Sequence, residues 1–245
     1  MAARRRRLTR IASGVVLMLA LAGIGLLSVG GYFESEPFAL QWPDHRANRY
    51  ELAAVYWSGD MGMRMGSGQD IVDSLRARGI PVLSVSSPML FGRQRDRAFV
   101  DRAVARSLEA ALARSRARRI AVVGSSFGAD IIGSGLGRVA PDIRQRITSV
   151  VLVVPGSDVY FHANPSGIFY RGPAAADPEH TIPLLHGLPV TCIFGANEDG
   201  SLCRETVMNG ARRVAIDDGH LMLFSREVLA AAVDAAVLHP PEPMR

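Results

Sequence analysis

The 245-residue chain contains no lysine, and all 28 of its basic residues are arginine. A phosphate-binding loop of the Walker A type, a pyridoxal Schiff base and a serine–lysine dyad each need an amine, so the sequence excludes all three. Cysteine is also scarce, because two cysteines are too few for a cysteine-rich zinc or iron–sulfur site. The six histidines show no metal-type spacing with other ligands. We therefore predict neither a metal site nor a cofactor.

Basic charge is concentrated at the N-terminus. Five arginines lie within the first ten residues, which hold no acidic residue. The remaining 23 arginines are balanced by 23 acidic residues, so the formal net charge of +5 belongs to the leader. Because the rest of the chain is neutral, the sequence predicts no nucleic-acid partner.

An uncharged apolar segment, residues 11–31, follows the arginines directly. A positive cluster before an apolar segment is typical of an export signal, and the positive charge stays on the cytoplasmic side. The segment is long enough to span a bilayer, although several glycines weaken it as a permanent helix. Residues 1–31 are therefore predicted to be a cleaved signal peptide or a retained inner-membrane anchor. Both alternatives place the remainder outside the cytoplasm.

Strands and helices alternate in the rest of the chain. Residues 32–50 are predicted to be a linker or irregular segment, residues 51–240 a single domain and residues 241–245 a tail. Apolar strands are expected at 51–57, 80–85, 119–123, 149–154, 189–194 and 214–216, and helices at 69–78, 96–115, 127–139 and 226–237. This alternation indicates an α/β fold, a parallel sheet covered by helices on both faces. The proline-rich segment 158–186 is interpreted as an inserted cap.

The pentapeptide at 124–128, Gly-Ser-Ser-Phe-Gly, has the pattern G-x-S-x-G. It directly follows a predicted strand and opens a predicted helix, which is the context of the nucleophile in an α/β-hydrolase-like sheet. The hydroxyl of Ser126 is expected to project from the carboxyl edge of the sheet, above a helix N-terminus that stabilises an oxyanion. Ser126 is thus the candidate nucleophile, and the amide of Phe127 is a candidate oxyanion donor.

Candidates for the acid and the base follow in the order that α/β-hydrolases require, each in a loop after a strand. His220 follows the last strand and is the candidate general base. The loop after the preceding strand offers two carboxylates, of which Asp199 is the preferred orienting acid and Glu198 the alternative. The second oxyanion donor is expected in the glycine-rich loop after the first strand, at the amide of Asp60 or, as the alternative, of Met61.

Cys192 and Cys203 bracket the loop that carries these two carboxylates. In an oxidising compartment such a pair can close a disulfide, whereas in a reducing one the two residues would be separate buried thiols. Because the leader predicts export, we favour the disulfide.

Four segments together resemble the VirJ/AcvB family of bacterial virulence proteins in order and spacing, over residues 52–238. They are Y-W-S-G-D-M-G at 56–62, G-S-S-F-G-A-D at 124–130, C-I-F-G-A-N-E-D-G-S-L-C at 192–203 and D-D-G-H at 217–220. The resemblance implies a periplasmic α/β-hydrolase with Ser126, Asp199 and His220 as its triad, and it implies the pairing of the two cysteines. AcvB-type members are linked to hydrolysis of aminoacylated phosphatidylglycerol, chiefly the lysyl form, and VirJ-type members to type IV secretion.

The expected function is therefore a serine hydrolase that cleaves a lipid or small-molecule ester, such as the aminoacyl ester of lysyl-phosphatidylglycerol. Asp60, Asp130 and Glu198 are candidates for attracting a cationic aminoacyl group. The alternative is a non-catalytic periplasmic accessory or binding protein of a type IV secretion system, with secretion-system proteins as its partners. An uncleaved leader would add the inner membrane as a partner in either case.

Overall fold

The regular structure comprises a long apolar helix at the N-terminus, a seven-stranded sheet and the helices that connect its strands. The computed structural model describes residues 2–43, 51–164, 170 and 172–245, with side chains from residue 11 onward. The strands are β1 (Phe38–Gln41), β2 (Leu52–Trp57), β3 (Val82–Val85), β4 (Arg119–Ser125), β5 (Ile147–Val153), β6 (Val190–Gly195) and β7 (Arg212–Ile216). The helices are α1 (Ala2–Val29), α2 (Gly68–Ala77), α3 (Ser87–Phe91), α4 (Arg97–Ser115), α5 (Phe127–Gly135), α6 (Pro141–Arg144), α7 (Pro178–Thr181) and α8 (Arg226–Leu238).

The strands lie in the order β1-β3-β2-β4-β5-β6-β7. All neighbours pair in parallel except β1, which is antiparallel to β3. The predicted parallel sheet with helices on both faces is confirmed. Because the parallel strands share a direction, their carboxyl ends meet at one edge, and the loops that carry the candidate site residues meet there too.

Successive strand residues point to opposite faces of the sheet, so each buried strand contributes to two cores. In β2, Val55 and Trp57 join the core formed with α4 and α5, whereas Ala54 and Tyr56 join the core formed with α2 and α8. All six residues of β2 are buried. This double burial explains why the strands are continuous apolar runs, and it makes the sheet a fixed frame for the loops at its edge.

The segment predicted to be irregular contains β1, so that prediction is wrong for residues 38–41. The strand pairs with β3 along its whole length, and Phe38 and Leu40 pack partly buried against the core. Four residues are too few to show a clear alternation in the sequence, and the strand forms because β3 leaves an open edge. Residues 44–50, which include His45, lie outside the described residues.

Helix α1 contains a stretch, Ile11–Val29, that is long and apolar enough to cross a membrane. Its mean hydropathy is 2.3, and none of the stretch is buried against the rest of the protein. A signal peptide and a membrane anchor share these properties, so both alternatives for residues 1–31 stay open at this point.

Cys192 and Cys203 form a disulfide, with their Cα atoms 5.5 Å apart. The predicted pairing is confirmed. The bond joins β6 to a short 3-10 helix at Leu202–Arg204, and it closes a loop that contains both candidate acids. The disulfide therefore restricts the loop at the carboxyl end of β6.

Replacing both cysteines by alanine, Cys192→Ala with Cys203→Ala, is expected to lower the free energy of unfolding by about 3 kcal/mol, the chain-entropy contribution of a loop of this length. Alanine is chosen because both positions are fully buried and a serine hydroxyl would lack a partner there. Urea unfolding in detergent, followed by tryptophan fluorescence, measures the change. Reduction of the unsubstituted protein should give the same loss, and an unchanged unfolding midpoint would contradict the prediction.

Candidate active site

Ser126 lies in the turn between β4 and α5, with φ of 50° and ψ of −122°. This left-handed conformation is rare outside glycine and is held by close packing on both sides. A Cβ on Gly124 would lie 2.6 Å from the carbonyl oxygen of Gly128, and a Cβ on Gly128 would overlap the carbonyl oxygen of Trp57. Glycine is therefore required at both positions, and the turn lifts the Ser126 hydroxyl above the N-terminus of α5.

His220 lies in the loop after β7 and contacts the serine. The Ser126 hydroxyl donates a hydrogen bond to His220 Nε2 over 3.0 Å. The loop is held by the carboxylate of Asp218, which accepts hydrogen bonds from the backbone N–H of Gly219 at 2.7 Å and of Phe224 at 2.9 Å. The structure thus brings Ser126 and His220 together. It also shows that Asp218 stabilises the loop of His220, which the order of motifs in the sequence did not predict.

The carboxylate beside His220 belongs to Glu198. His220 donates a hydrogen bond from Nδ1–H to Oε1 of Glu198, and the other carboxylate oxygen accepts from the backbone N–H of Gly195 at 3.4 Å. The Glu198 side chain is only 7% exposed, whereas Asp199 is exposed to solvent. The expected contact of Asp199 with His220 is not formed, and the alternative acid occupies that position.

A tight turn decides which of the two adjacent carboxylates faces the histidine. The backbone N–H of Glu198 donates to the carbonyl of Gly195 at 3.1 Å, so the chain reverses directly after β6. The N–H of Asn197 donates to the carbonyl of Asp218 at 3.1 Å, which ties this turn to the loop of His220. The turn directs Glu198 inward and leaves the next residue outside.

The surroundings of His220 raise its pKa. The hydrogen bond to Glu198 raises the pKa of His220 above its ordinary value; burial opposes this shift, and the charges of Glu198, Asp130 and Asp60 add to it. Asp130 lies in the first turn of α5, and one of its carboxylate oxygens accepts from the N–H of Gly156 at 2.9 Å. Burial raises the pKa of Asp130 to about 8. The site is therefore acidic in composition, with one carboxyl group that holds its proton near neutral pH.

A turn from Gly59 to Gly62, closed by a backbone hydrogen bond of 3.1 Å, packs against the candidate nucleophile. A Cβ on Gly59 would lie 3.7 Å from the Cβ of Ser126, so the two backbones approach closely. On the other side of the serine, Phe127 is the first residue of α5, and its N–H has no acceptor within the helix. The two predicted oxyanion donors, the amides of Asp60 and Phe127, thus belong to the two segments that flank Ser126.

Two tyrosines hold Asp60. The Tyr32 hydroxyl donates to its carbonyl oxygen at 3.0 Å, and the Tyr170 hydroxyl donates to its carboxylate at 2.9 Å. Burial raises the pKa of Asp60, and the hydrogen bond from Tyr170 opposes that shift. Tyr170 belongs to the segment interpreted as a cap, of which residues 165–169 and 171 lie outside the described residues. Neither tyrosine stands in a recognisable motif, so sequence analysis missed both.

A cavity of about 210 Å³ opens beside Ser126 and His220. Its walls are mostly apolar and include Met65, Leu221 and Leu223. A mostly apolar cavity with a few polar groups at one side is typical of a small-molecule binding site.

No group of three histidine, cysteine, aspartate or glutamate side chains is placed to hold a metal ion within the part of the chain that the structure describes. Of the other histidines, His180 pairs with Asp177 at 2.8 Å on the surface. The described residues thus offer acid–base groups but no arrangement of metal ligands.

Comparison with known proteins gives a family and a fold. A family model described as "Bacterial virulence protein (VirJ)" matches residues 51–238, while no curated protein sequence matches the chain. Est1E from Butyrivibrio proteoclasticus aligns with a TM-score of 0.58 at 14% identity, over 82% of this chain and 92% of its own. An alpha-beta serine hydrolase homologue from Coxiella burnetii gives 0.54 at 15% identity, over 80% and 88%. The esterase domain of a Rhodothermus marinus protein gives 0.52 at 14%, over 79% and 90%.

Replacing the buried carboxylate, Glu198→Gln, is expected to lower the pKa of His220, because the hydrogen bond that raises this pKa loses its negative charge. Asp199→Asn is the matched control, and it should leave the pKa of His220 close to that of the unsubstituted protein. NMR titration of the imidazole, assigned by comparison with His220→Ala, measures both. Equal shifts in the two variants would contradict the assignment of Glu198 as the partner.

Proposed function

The chain belongs to the VirJ family of bacterial virulence proteins, and on this premise we propose that it is a serine hydrolase that cleaves an ester. The observation that carries the proposal is the hydrogen-bonded series from Ser126 through His220 to Glu198. A serine hydroxyl is a weak nucleophile at its ordinary pKa, and an adjacent base that is oriented by a carboxylate activates it. The three groups have the geometry that this activation requires.

In the proposed first step, the Ser126 oxygen attacks the acyl carbon while His220 Nε2 takes the hydroxyl proton. Glu198 stabilises the imidazolium and keeps Nδ1 protonated. The amides of Phe127 and Asp60, together with the N-terminus of α5, stabilise the oxyanion. Collapse of this intermediate breaks the ester bond, and His220 returns the proton to the leaving alkoxide. An acyl-serine and a free alcohol remain.

In the second step, a water molecule attacks the acyl-serine while His220 again takes a proton. The tetrahedral intermediate then collapses, the proton returns to the Ser126 oxygen, and the carboxylic acid leaves. Water and ester are thus converted to acid and alcohol, with the enzyme restored. No metal or cofactor takes part in either step.

For the substrate we propose an aminoacyl ester of a lipid headgroup, of the lysyl-phosphatidylglycerol type. The resemblance to AcvB-type proteins supports this choice. The charges around the site support it as well, because Asp60 and Asp130 both act on His220 and would also attract an ammonium group. A bound ammonium beside Asp130 would lower the raised pKa of that carboxyl and restore its negative charge.

We place the domain in the periplasm. The arginine cluster before an apolar helix supports export, and the disulfide is of a kind that persists in oxidising compartments. A second candidate function is that of a non-catalytic accessory protein in type IV secretion, and the description of the family as a bacterial virulence protein is compatible with it. The two functions differ in whether Ser126 reacts.

A fluorophosphonate probe is expected to label the folded protein at Ser126, and Ser126→Ala should abolish the labelling. With p-nitrophenyl acetate as substrate, Glu198→Gln should lower kcat by roughly 10²–10⁴-fold, the loss typical of a neutralised triad acid. Asp199→Asn, the matched control, should stay within about twofold because surface substitutions usually have small effects. Absence of labelling at Ser126 in folded protein would refute the hydrolase and favour the accessory function.

The substrate class is tested with lysyl-phosphatidylglycerol and with an uncharged acyl ester of the same lipid. We expect the lysyl form to have the higher kcat/KM. Asp130→Asn should reduce this preference by about tenfold. One favourable charge interaction typically contributes roughly 1.4 kcal/mol, which corresponds to a factor of about ten. The substitution keeps an acceptor for the N–H of Gly156. If the unsubstituted enzyme shows no preference for the lysyl form, the proposal of a cationic substrate is refuted, whereas the proposal of the triad is not.

A further inference from the structure

The end of α1 packs directly on the turn that flanks the candidate nucleophile. Gly30 and Gly31 are buried, and a Cβ on Gly62 would overlap the carbonyl oxygen of Gly30. Gly62 has a φ of +75°, so both its backbone conformation and its surroundings require glycine. The next residue of the N-terminal segment, Tyr32, donates its hydrogen bond to the carbonyl of Asp60 in the same turn. The end of the apolar helix therefore contacts a residue that lines the active-site cavity.

Exposed apolar side chains follow His220 in the chain, and two of them line the same cavity. Leu221 and Leu223 line it, as Gly62 does, yet they are 58% and 48% exposed. Phe224 follows and is 94% exposed, and Val228 at the start of α8 is 58% exposed. We name these four residues the apolar rim.

The apolar rim is the main cluster of its kind on the domain. Outside α1, the described residues include seven large apolar side chains that are exposed, and four of the seven belong to the rim. The rim is also held in place, because the N–H of Phe224 donates to Asp218 at 2.9 Å. Exposed apolar clusters of this sort mark sites of contact with another apolar surface.

We infer that the apolar rim docks on the same bilayer that α1 spans, so that the active-site cavity opens at the membrane surface. The apolar stretch of α1 has 19 residues and therefore a length of about 28 Å, which matches the hydrocarbon core of a bilayer. Gly30 then lies at the outer boundary of the hydrocarbon. Because Gly30 contacts Gly62 and Gly62 lines the cavity, the cavity lies at the level of the headgroups.

The neighbouring residues fit this placement. Phe33 follows the end of α1 and is 65% exposed, and aromatic side chains are enriched at the membrane–water interface. The occupant of the rim is a bilayer because the chain's own span puts a membrane beside the cavity. For a lipid ester, which rests on the proposed function, this geometry permits entry from the membrane without passage through water.

The docking is tested with a nitroxide label on the full chain reconstituted in vesicles of phosphatidylethanolamine and phosphatidylglycerol. Phe224→Cys places the label on the rim, and Glu109→Cys places it on the exposed face of α4, in the opposite helix layer. Both native cysteines are in a disulfide and do not react with the label. We expect the label at position 224 to collide more with oxygen than with a water-soluble nickel complex, and the label at position 109 to show the reverse.

Two results would overturn the inference. Equal access of the nickel complex to both positions would show that the rim faces water, and protection of position 224 from both reagents would indicate a protein partner such as a second copy. The intact mass of the membrane-extracted chain provides an independent check. A chain without residues 1–30 would also overturn the inference, because no span would remain.

A kinetic comparison tests the consequence for a lipid substrate. Phe224→Ser is expected to lower hydrolysis of lysyl-phosphatidylglycerol in vesicles by about tenfold, a loss of roughly 1.4 kcal/mol, while hydrolysis of p-nitrophenyl acetate in solution stays within about twofold. Equal losses on both substrates, or no loss on vesicles, would overturn entry from the membrane. If the unsubstituted enzyme hydrolyses neither ester, the proposed function fails, and the nitroxide measurement still decides the docking.

Discussion

Ser126 holds a backbone conformation that an isolated chain would rarely adopt, and the geometry of the site depends on it. With φ at 50°, the chain leaves β4 and enters α5 within a single residue. This is sterically permitted because Gly124 and Gly128 have no side chains at the points of closest approach. The local strain is compensated by the buried sheet, since β4 lies between β2 and β5 and cannot move without them. The hydroxyl is therefore placed by the whole fold.

Three carboxyl groups determine the electrostatic surroundings of Ser126 and His220. Glu198, Asp130 and Asp60 all influence His220, and three ionised carboxylates this close would repel one another. Burial raises the pKa of Asp130 to about 8, so that group is mostly neutral at pH 7. Glu198 accepts hydrogen bonds from His220 and from the backbone N–H of Gly195. Glu198 thus fixes the orientation of the His220 imidazole, while burial favours the neutral form of Asp130.

The parts of the site that sequence analysis could predict are those fixed by the order of strands. Ser126 directly follows β4 and His220 lies in the loop after β7, and a parallel sheet brings the ends of its strands to one edge. The order of strands does not distinguish Glu198 from Asp199, because both residues lie in the loop after β6. The backbone turn determines which of the two side chains faces His220. That direction depends on the hydrogen bonds of Gly195 and Asn197, which form only once the two loops meet.

Other features escaped prediction for a related reason. Strand β1 is short and exists because β3 offers a free edge, so its four residues carry little signal of their own. Tyr32 and Tyr170 act on Asp60 from positions 28 and 110 residues away in sequence. Long-range contacts of single hydroxyl groups leave no periodic or spaced pattern in a sequence, whereas strands and the G-x-S-x-G pentapeptide do.

The N-terminal segment makes two contacts with the turn from Gly59 to Gly62. Gly30 packs on Gly62, and Tyr32 donates a hydrogen bond to the carbonyl of Asp60. Tyr32 and its hydrogen bond to Asp60 lie beyond the end of α1, so they would persist in a chain cleaved after residue 30. The hydrogen bond that supports the turn from Gly59 to Gly62 therefore does not require a membrane span. The position of the cavity relative to the bilayer does require one, because only an uncleaved α1 connects Gly62 to the hydrocarbon boundary. Cleavage would leave the contacts of Ser126 with its neighbours in place and would remove the connection between the cavity and the membrane surface.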